Sequence, residues 1–222
     1  MYSPRFGAAI LESMFSNLSA LQILFVLVAI LVSMGIHEAM HAYVAHWLGD
    51  STAQEQGRLT LNPLKHIDIL TTVLLPVVLI AIGLPPFFVA KPVPFNPARV
   101  KYEEFGAALI AVAGPLTNLV LAAAGALIFR AVGVDAAANV HDFLIIFTEV
   151  NVAFFVFNMI PFPPLDGSRL LYAVAPEGLQ KIMYQIESAG FMAILVFMLL
   201  IFQFVAPVIV NIESFILNFL LG

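Results

Sequence analysis

The sequence predicts an all-α integral membrane protein, and three observations carry that reading. Hydrophobic residues make up 62% of the 222 positions and charged residues only 10%. Mean hydropathy is +1.02, and the apolar residues gather in runs of helical-span length instead of alternating with polar ones. A soluble globular chain is excluded on these grounds. The length suits a single membrane-embedded domain over residues 1–222, with about five or six helical segments, so any regulatory module is expected on another chain.

The first run, Leu18–Trp47, reads as a retained helix, since residues 1–17 carry no convincing small-residue cleavage site. Its one acidic residue is Glu38, set between His37 and His41 in the pattern H-E-x-x-H. Residues four apart on a helix stack on one face, so both imidazoles can reach one Zn2+ while Glu38 borders the open coordination position. On a soluble helix three fixed positions would often match by chance. Inside a bilayer a charged group costs about 3 kcal/mol on insertion scales, which makes function the better reading. The chain has no cysteine, so any metal must be held by His, Asp or Glu.

The second run, Ile69–Val89, is interrupted by Pro76 and stopped by Gly83-Leu84-Pro85-Pro86. Lysine and arginine test whether it crosses, because cytoplasmic loops are enriched in both. If it is re-entrant, the face reached after Trp47 collects Arg58, Lys65, Lys91, Arg99, Lys101, Arg169 and Lys181, against Arg5 and Arg130 on the other. Full crossing gives a weaker asymmetry, so re-entry is favoured, with these loops cytoplasmic and the N-terminus outside. The stretch Pro85–Pro97 holds β-branched and aromatic residues and reads either as a short hairpin or extended edge, or as a plain interfacial loop.

Phe105–Val132 and Phe143–Ile160 are long enough to span, as is Ala189–Val205, whereas Val208–Leu221 is short for a crossing. With the second run re-entrant, the Pro161-Phe162-Pro163-Pro164-Leu165-Asp166-Gly167 break falls on the same membrane face as the His37 helix. Asp166 is then the candidate third zinc ligand, which leaves a fourth position open as catalytic zinc requires. The alternative is a turn aspartate that caps the next helix. His46, five residues beyond His41, and His141, near an outer boundary, read as structural. A net charge of -5 without a basic run argues against nucleic acid as a partner.

Four blocks in order resemble the site-2 protease family of intramembrane zinc metalloproteases (peptidase family M50) in its compact bacterial or archaeal form. They are His37-Glu38-Ala39-Met40-His41, Gly57 to Asp68, Gly114-Pro115-Leu116-Thr117-Asn118, and Asn158-Met159-Ile160-Pro161 leading to Pro164-Leu165-Asp166-Gly167. The resemblance implies a three-helix catalytic core from the first, third and fourth long runs, with extra transmembrane helices and a membrane-associated re-entrant or hairpin segment. It implies one Zn2+ per chain on His37, His41 and Asp166, with Glu38 as catalytic base. It places Asn158 where a side chain helps polarise the scissile carbonyl, although a helix-end amide serving backbone groups freed by Pro161 is the competing reading. Gly114, Pro115 and Asn118 read as a packing and hydrogen-bonding device between helices, and His66 is not implied as a ligand.

The implied substrates are transmembrane proteins, cut within or near their membrane segments, in regulated intramembrane proteolysis or clearance of signal-peptide remnants. The implied setting is a prokaryotic inner or plasma membrane, with the site opening to the cytoplasm. Two rivals remain. A metal transporter would be expected to carry further intramembrane acidic or histidine sites and an internal repeat, and a non-cutting scaffold would be expected to have lost part of the His37, Glu38, His41 and Asp166 set.

Overall fold

Apolar segments in lipid must satisfy their own backbone N–H and C=O groups, and a helix does so within one segment. In a computed structural model of the chain, the described residues are 18–81, 88, 90–133 and 137–222, without the side chains of Pro97 and Phe191. Their regular elements are all helical, with no strand among the described residues. By length and composition, four helices among the described residues can cross a membrane: Ala20–Trp47, Glu103–Val132, Ala138–Asn158 and Met192–Leu221.

Helix α1 (Ala20–Trp47) starts on a capping box, in which Ser19 and Gln22 each accept the other's backbone N–H. A short turn, α2 (Thr52–Glu55), follows, and further along the chain comes α3 (Leu75–Ala81), entered through a π turn at Ile69–Leu74. The long helices α4 (Glu103–Val132) and α5 (Ala138–Asn158) then pack against each other and against α1, forming a three-helix core. Beyond it lie α6 (Gly167–Val174) and α7 (Glu177–Ser188). The chain ends in α8 (Phe191–Val196), which continues through a π turn into α9 (Phe202–Leu221). Helix α9 lies along α5 and touches α4.

The apolar stretch of the second run is Ile69–Ala81, about 20 Å of helix against a hydrocarbon core of about 30 Å. Its continuation and the start of the expected hairpin lie partly outside the described residues, at 82–87 and 89; residues 90–96 are irregular. At the other end the structure departs from the sequence reading. The break expected between Val205 and Val208 is absent, and Met192–Leu221 forms one 30-residue helix that carries Pro207 inside it. Proline removes one backbone donor, a loss that membrane helices tolerate when packing and local π adjustments take it up. Such a π turn lies upstream at Phe197–Ile201, ending six residues before Pro207.

The loops at one membrane face are tied together by Asp50. Its carboxylate accepts from Thr52 N at 3.0 Å, Thr52 Oγ1 at 2.5 Å and Asn96 N at 2.6 Å. Burial opposes its ionisation, but these donors outweigh that and hold the carboxyl below the usual range. The irregular stretch 90–96 is held at Lys91, whose N–H donates to His66 O at 2.8 Å and whose carbonyl accepts from Arg58 Nη2 at 2.7 Å.

Asp50→Ala leaves the Asn96 and Thr52 donors unmet and is expected to cost about 1–3 kcal/mol, read as a lower thermal midpoint in detergent. Because the folded-state pKa is depressed, the carboxylate's contribution is present above a pH of about 4 and is lost as the pH falls through the lowered value. The gap between wild type and variant should therefore close on acidification.

Candidate metal centre

His37 and His41 lie one turn apart in the C-terminal half of α1, and both are buried. Their outer nitrogens are spoken for. His37 Nδ1 lies 2.6 Å from Asn118 Oδ1, and His41 Nδ1 lies 2.7 Å from the carbonyl of Ile110.

The orientation of the Asn118 amide follows from its neighbours. Asn151 Nδ2 donates to Phe147 O and Ser33 Oγ, both at 2.8 Å. Asn151 Oδ1 must then face Asn118, whose Nδ2 donates to it at 2.9 Å and lies 3.5 Å from Ser33 O. That leaves Asn118 Oδ1, an acceptor, for the imidazole. Each histidine thus gives its Nδ1 proton outward and turns its Nε2 lone pair inward.

Those inner atoms converge. The two Nε2 atoms are 3.0 Å apart, and Asp166 Oδ2 lies 3.1 Å from that of His37 and 3.4 Å from that of His41. The rings meet nearly at right angles, 84° between planes, so their edges aim at a common point. Three electron-rich atoms at such separations repel one another unless a cation lies among them. Tetrahedral zinc with bonds of about 2.0–2.1 Å sets its donors about 3.3–3.4 Å apart, so these residues fit the metal. Glu38 completes a His37, Glu38 and His41 group whose ligand atoms all lie within 4.8 Å of one another.

Two glycines make the convergence possible. A Cβ at Gly114 of α4 would stand 2.5 Å from His41 Nε2 and 2.6 Å from His37 Nε2, so only glycine lets α4 pass behind the imidazoles. A Cβ at Gly167 would stand 2.3 Å from Met159 O, so glycine also lets the loop after α5 fold back over its helix end. Leu165 anchors that loop in a cluster with Leu75, Leu79, Ile194, Phe197 and Met198. Asp166 heads α6, but its side chain makes no capping bond, so the turn-cap alternative does not hold.

A cavity of about 430 Å3 opens onto these side chains. Its wall includes Asn158, whose Nδ2 donates to Phe154 O at 3.0 Å. The other histidines stand apart. His66 is buried, with Nε2 2.9 Å from Thr60 O, His141 Nε2 lies 2.7 Å from Gly133 O, and His46 is exposed.

The model of Peptidase family M50 matches residues 124–202. The chain is also 38% identical over 179 residues to "Putative zinc metalloprotease YwhC" of Bacillus subtilis, a match covering 78% of this chain and 78% of that protein. The chain belongs to peptidase family M50. Under the same designation, Rip2 of Mycolicibacterium smegmatis is 31% identical over 172 residues, covering 76% of this chain and 64% of Rip2. Rip2 of Mycobacterium tuberculosis strain H37Rv is 32% identical over 148 residues, covering 64% and 53%. No solved structure matches the chain. The stretch matched by the family model contains Asn158 and Asp166; the paired histidines of this M50 peptidase lie N-terminal to it.

Sequence reasoning read Asn118 as a packing device and passed over Asn151 and Ser33. A signal was available: Ser33, His37 and His41 recur every four residues, and so do Gly114 and Asn118, which puts each set on one helix face. Replacing Asn118 with Ala frees His37 to rotate, and zinc affinity is expected to fall about 10–100-fold in a competitive chelator titration. Gly114→Ala pushes both imidazoles off their positions and should cut the metal content of the purified protein by about tenfold or more. Gly178→Ala, where a Cβ meets nothing within 4 Å, should leave it unchanged.

Proposed function

We propose that this M50 peptidase is a zinc metalloendopeptidase that hydrolyses peptide bonds within or near transmembrane segments of other proteins. It uses one zinc ion per chain, held by His37, His41 and Asp166. The observation that carries this reading is the meeting of two Nε2 lone pairs and one carboxylate oxygen beside Glu38, in a bundle of membrane-length helices.

Bound there, zinc supplies a Lewis acid that polarises a carbonyl and brings the pKa of a water to about 7. Glu38 takes the proton of the attacking water and delivers it to the leaving amine. Asp166 supplies the negative charge of the ligand set, and the Asn118 and Ile110 oxygens hold the imidazoles in the ligating tautomer. Asn158 gives one N–H to Phe154 O and has a second, on the cavity wall, to offer a developing oxyanion.

The cavity is lined mostly by apolar side chains, which suits a hydrophobic segment. A helical peptide bond is shielded by its own hydrogen bonds, so the substrate must be locally extended before attack. The irregular stretch 90–96, held at Lys91 beside the cavity, is the segment along which an extended substrate would lie. The charge asymmetry of the loops supports a site that opens to the cytoplasm of a prokaryotic cell, with the second run re-entrant. The substrates are membrane-tethered regulators or signal-peptide remnants.

The test is cleavage of a model transmembrane substrate by purified protein. Glu38→Gln should lower the rate about a hundredfold to ten-thousandfold while zinc stays bound. Equal rates in wild type and variant would remove Glu38 from the mechanism and overturn the protease reading.

A further inference from the structure

The helix that closes the cavity on one side carries an acid that the proposed chemistry does not use. Phe202, Ala206, Ile209, Val210 and Glu213 of α9 all line the cavity, at spacings that put them on one helix face. The first four are apolar, and the fifth is a carboxylate within a membrane-length helix. A charged group so placed costs about 3 kcal/mol on insertion scales, which marks a functional position.

Glu213 is half-buried, and among the described residues it has no hydrogen bond or ion pair. The other charged groups on the cavity wall are accounted for. Glu38 and Asp166 border the metal position, and Glu187 pairs with Arg169, the one lysine or arginine among the lining residues. Arg169 is further held over the Phe95 ring, 5.6 Å from its centroid. Glu213 is therefore the lining acid without a counterpart.

Its depth is set by the course of α9. Phe202 packs near Phe157 and Ile160, at the end of α5 that leads into the Asp166 loop. At the opposite end, Arg130 Nη2 donates to Phe219 O at 3.3 Å. Glu213 lies eleven residues beyond Phe202, about 16 Å along the helix, so the acid sits well inside the span and away from the Asp166 end.

We infer that Glu213 is a specificity-determining residue: it receives a lysine or arginine side chain from the membrane segment of the substrate, at one fixed position relative to the scissile bond. A basic residue inside a membrane segment is itself unfavourable. Pairing it with Glu213 relieves both groups at once, and an apolar substrate leaves the acid unmet. This inference rests on the protease reading above.

The experiment uses the full chain in liposomes with a model transmembrane substrate in which leucine is replaced by lysine, one position at a time, on both sides of the cleavage site. At one position lysine should raise kcat/KM over leucine about tenfold. Glu213→Gln should bring that ratio close to one, and Glu213→Lys should shift the preference to a substrate glutamate at the same position. Zinc content reports that each variant is folded. No lysine-favouring position, a ratio that survives Glu213→Gln, or an equal loss on both substrates would each overturn the assignment. If the all-leucine substrate is not cut in a Glu38-dependent way, the protease reading itself fails, and this inference with it.

Discussion

Two hydrogen bonds on the far side of the imidazoles set the terms for the rest of the molecule. Once His37 Nδ1 faces Asn118 Oδ1 and His41 Nδ1 faces Ile110 O, both Nε2 lone pairs are committed to one point, and an anionic oxygen from Asp166 meets them there. The arrangement repels itself without a cation. In a dry helix bundle that repulsion is poorly screened, and a divalent ion would reconcile these side chains with their surroundings. The fold supplies what this requires: a helix that passes close enough because residue 114 is glycine, and an amide held in one orientation by Asn151 and Ser33. It also supplies a loop turned back on its own helix at Gly167.

The bilayer changes how each of these contacts is weighed. Helices gain little from hydrophobic association in lipid, so packing and buried polar contacts must hold them together. The Ser33, Asn118 and Asn151 network therefore acts twice, joining α1, α4 and α5 while orienting His37. Outside the core, the loops at one face are held by backbone acceptors and by Asp50. These contacts bring the irregular stretch 90–96 beside the metal position without a strand among the described residues.

Much of this was legible in the sequence. Span lengths follow from composition, and four-residue spacing on a helix fixes the relative geometry of His37 and His41. Loop charge and the proline-rich break point Asp166 to the membrane face of the His37 helix, and the structure sets its carboxylate against both imidazoles. Residues 118 and 151 were harder, because an asparagine in a membrane run looks alike whether it joins helices or orients a ligand, and only the facing residue decides. Pro207 misled for a related reason. In water it would mark a helix boundary, but in a membrane helix with a π turn upstream it does not. Glu213 went unremarked because a lone acid near the end of a sequence gives no sign of which cavity it faces.

The proposed chemistry requires that one cation be held by these three side chains. X-ray absorption at the zinc edge of the purified full-length protein tests this directly, because imidazole leaves a distinctive multiple-scattering signature. One zinc per chain with two imidazoles and a carboxylate oxygen at about 2.0–2.2 Å, and one imidazole fewer in His41→Ala, is the predicted result. A zinc shell with no imidazole, or one unchanged by that substitution, would contradict it.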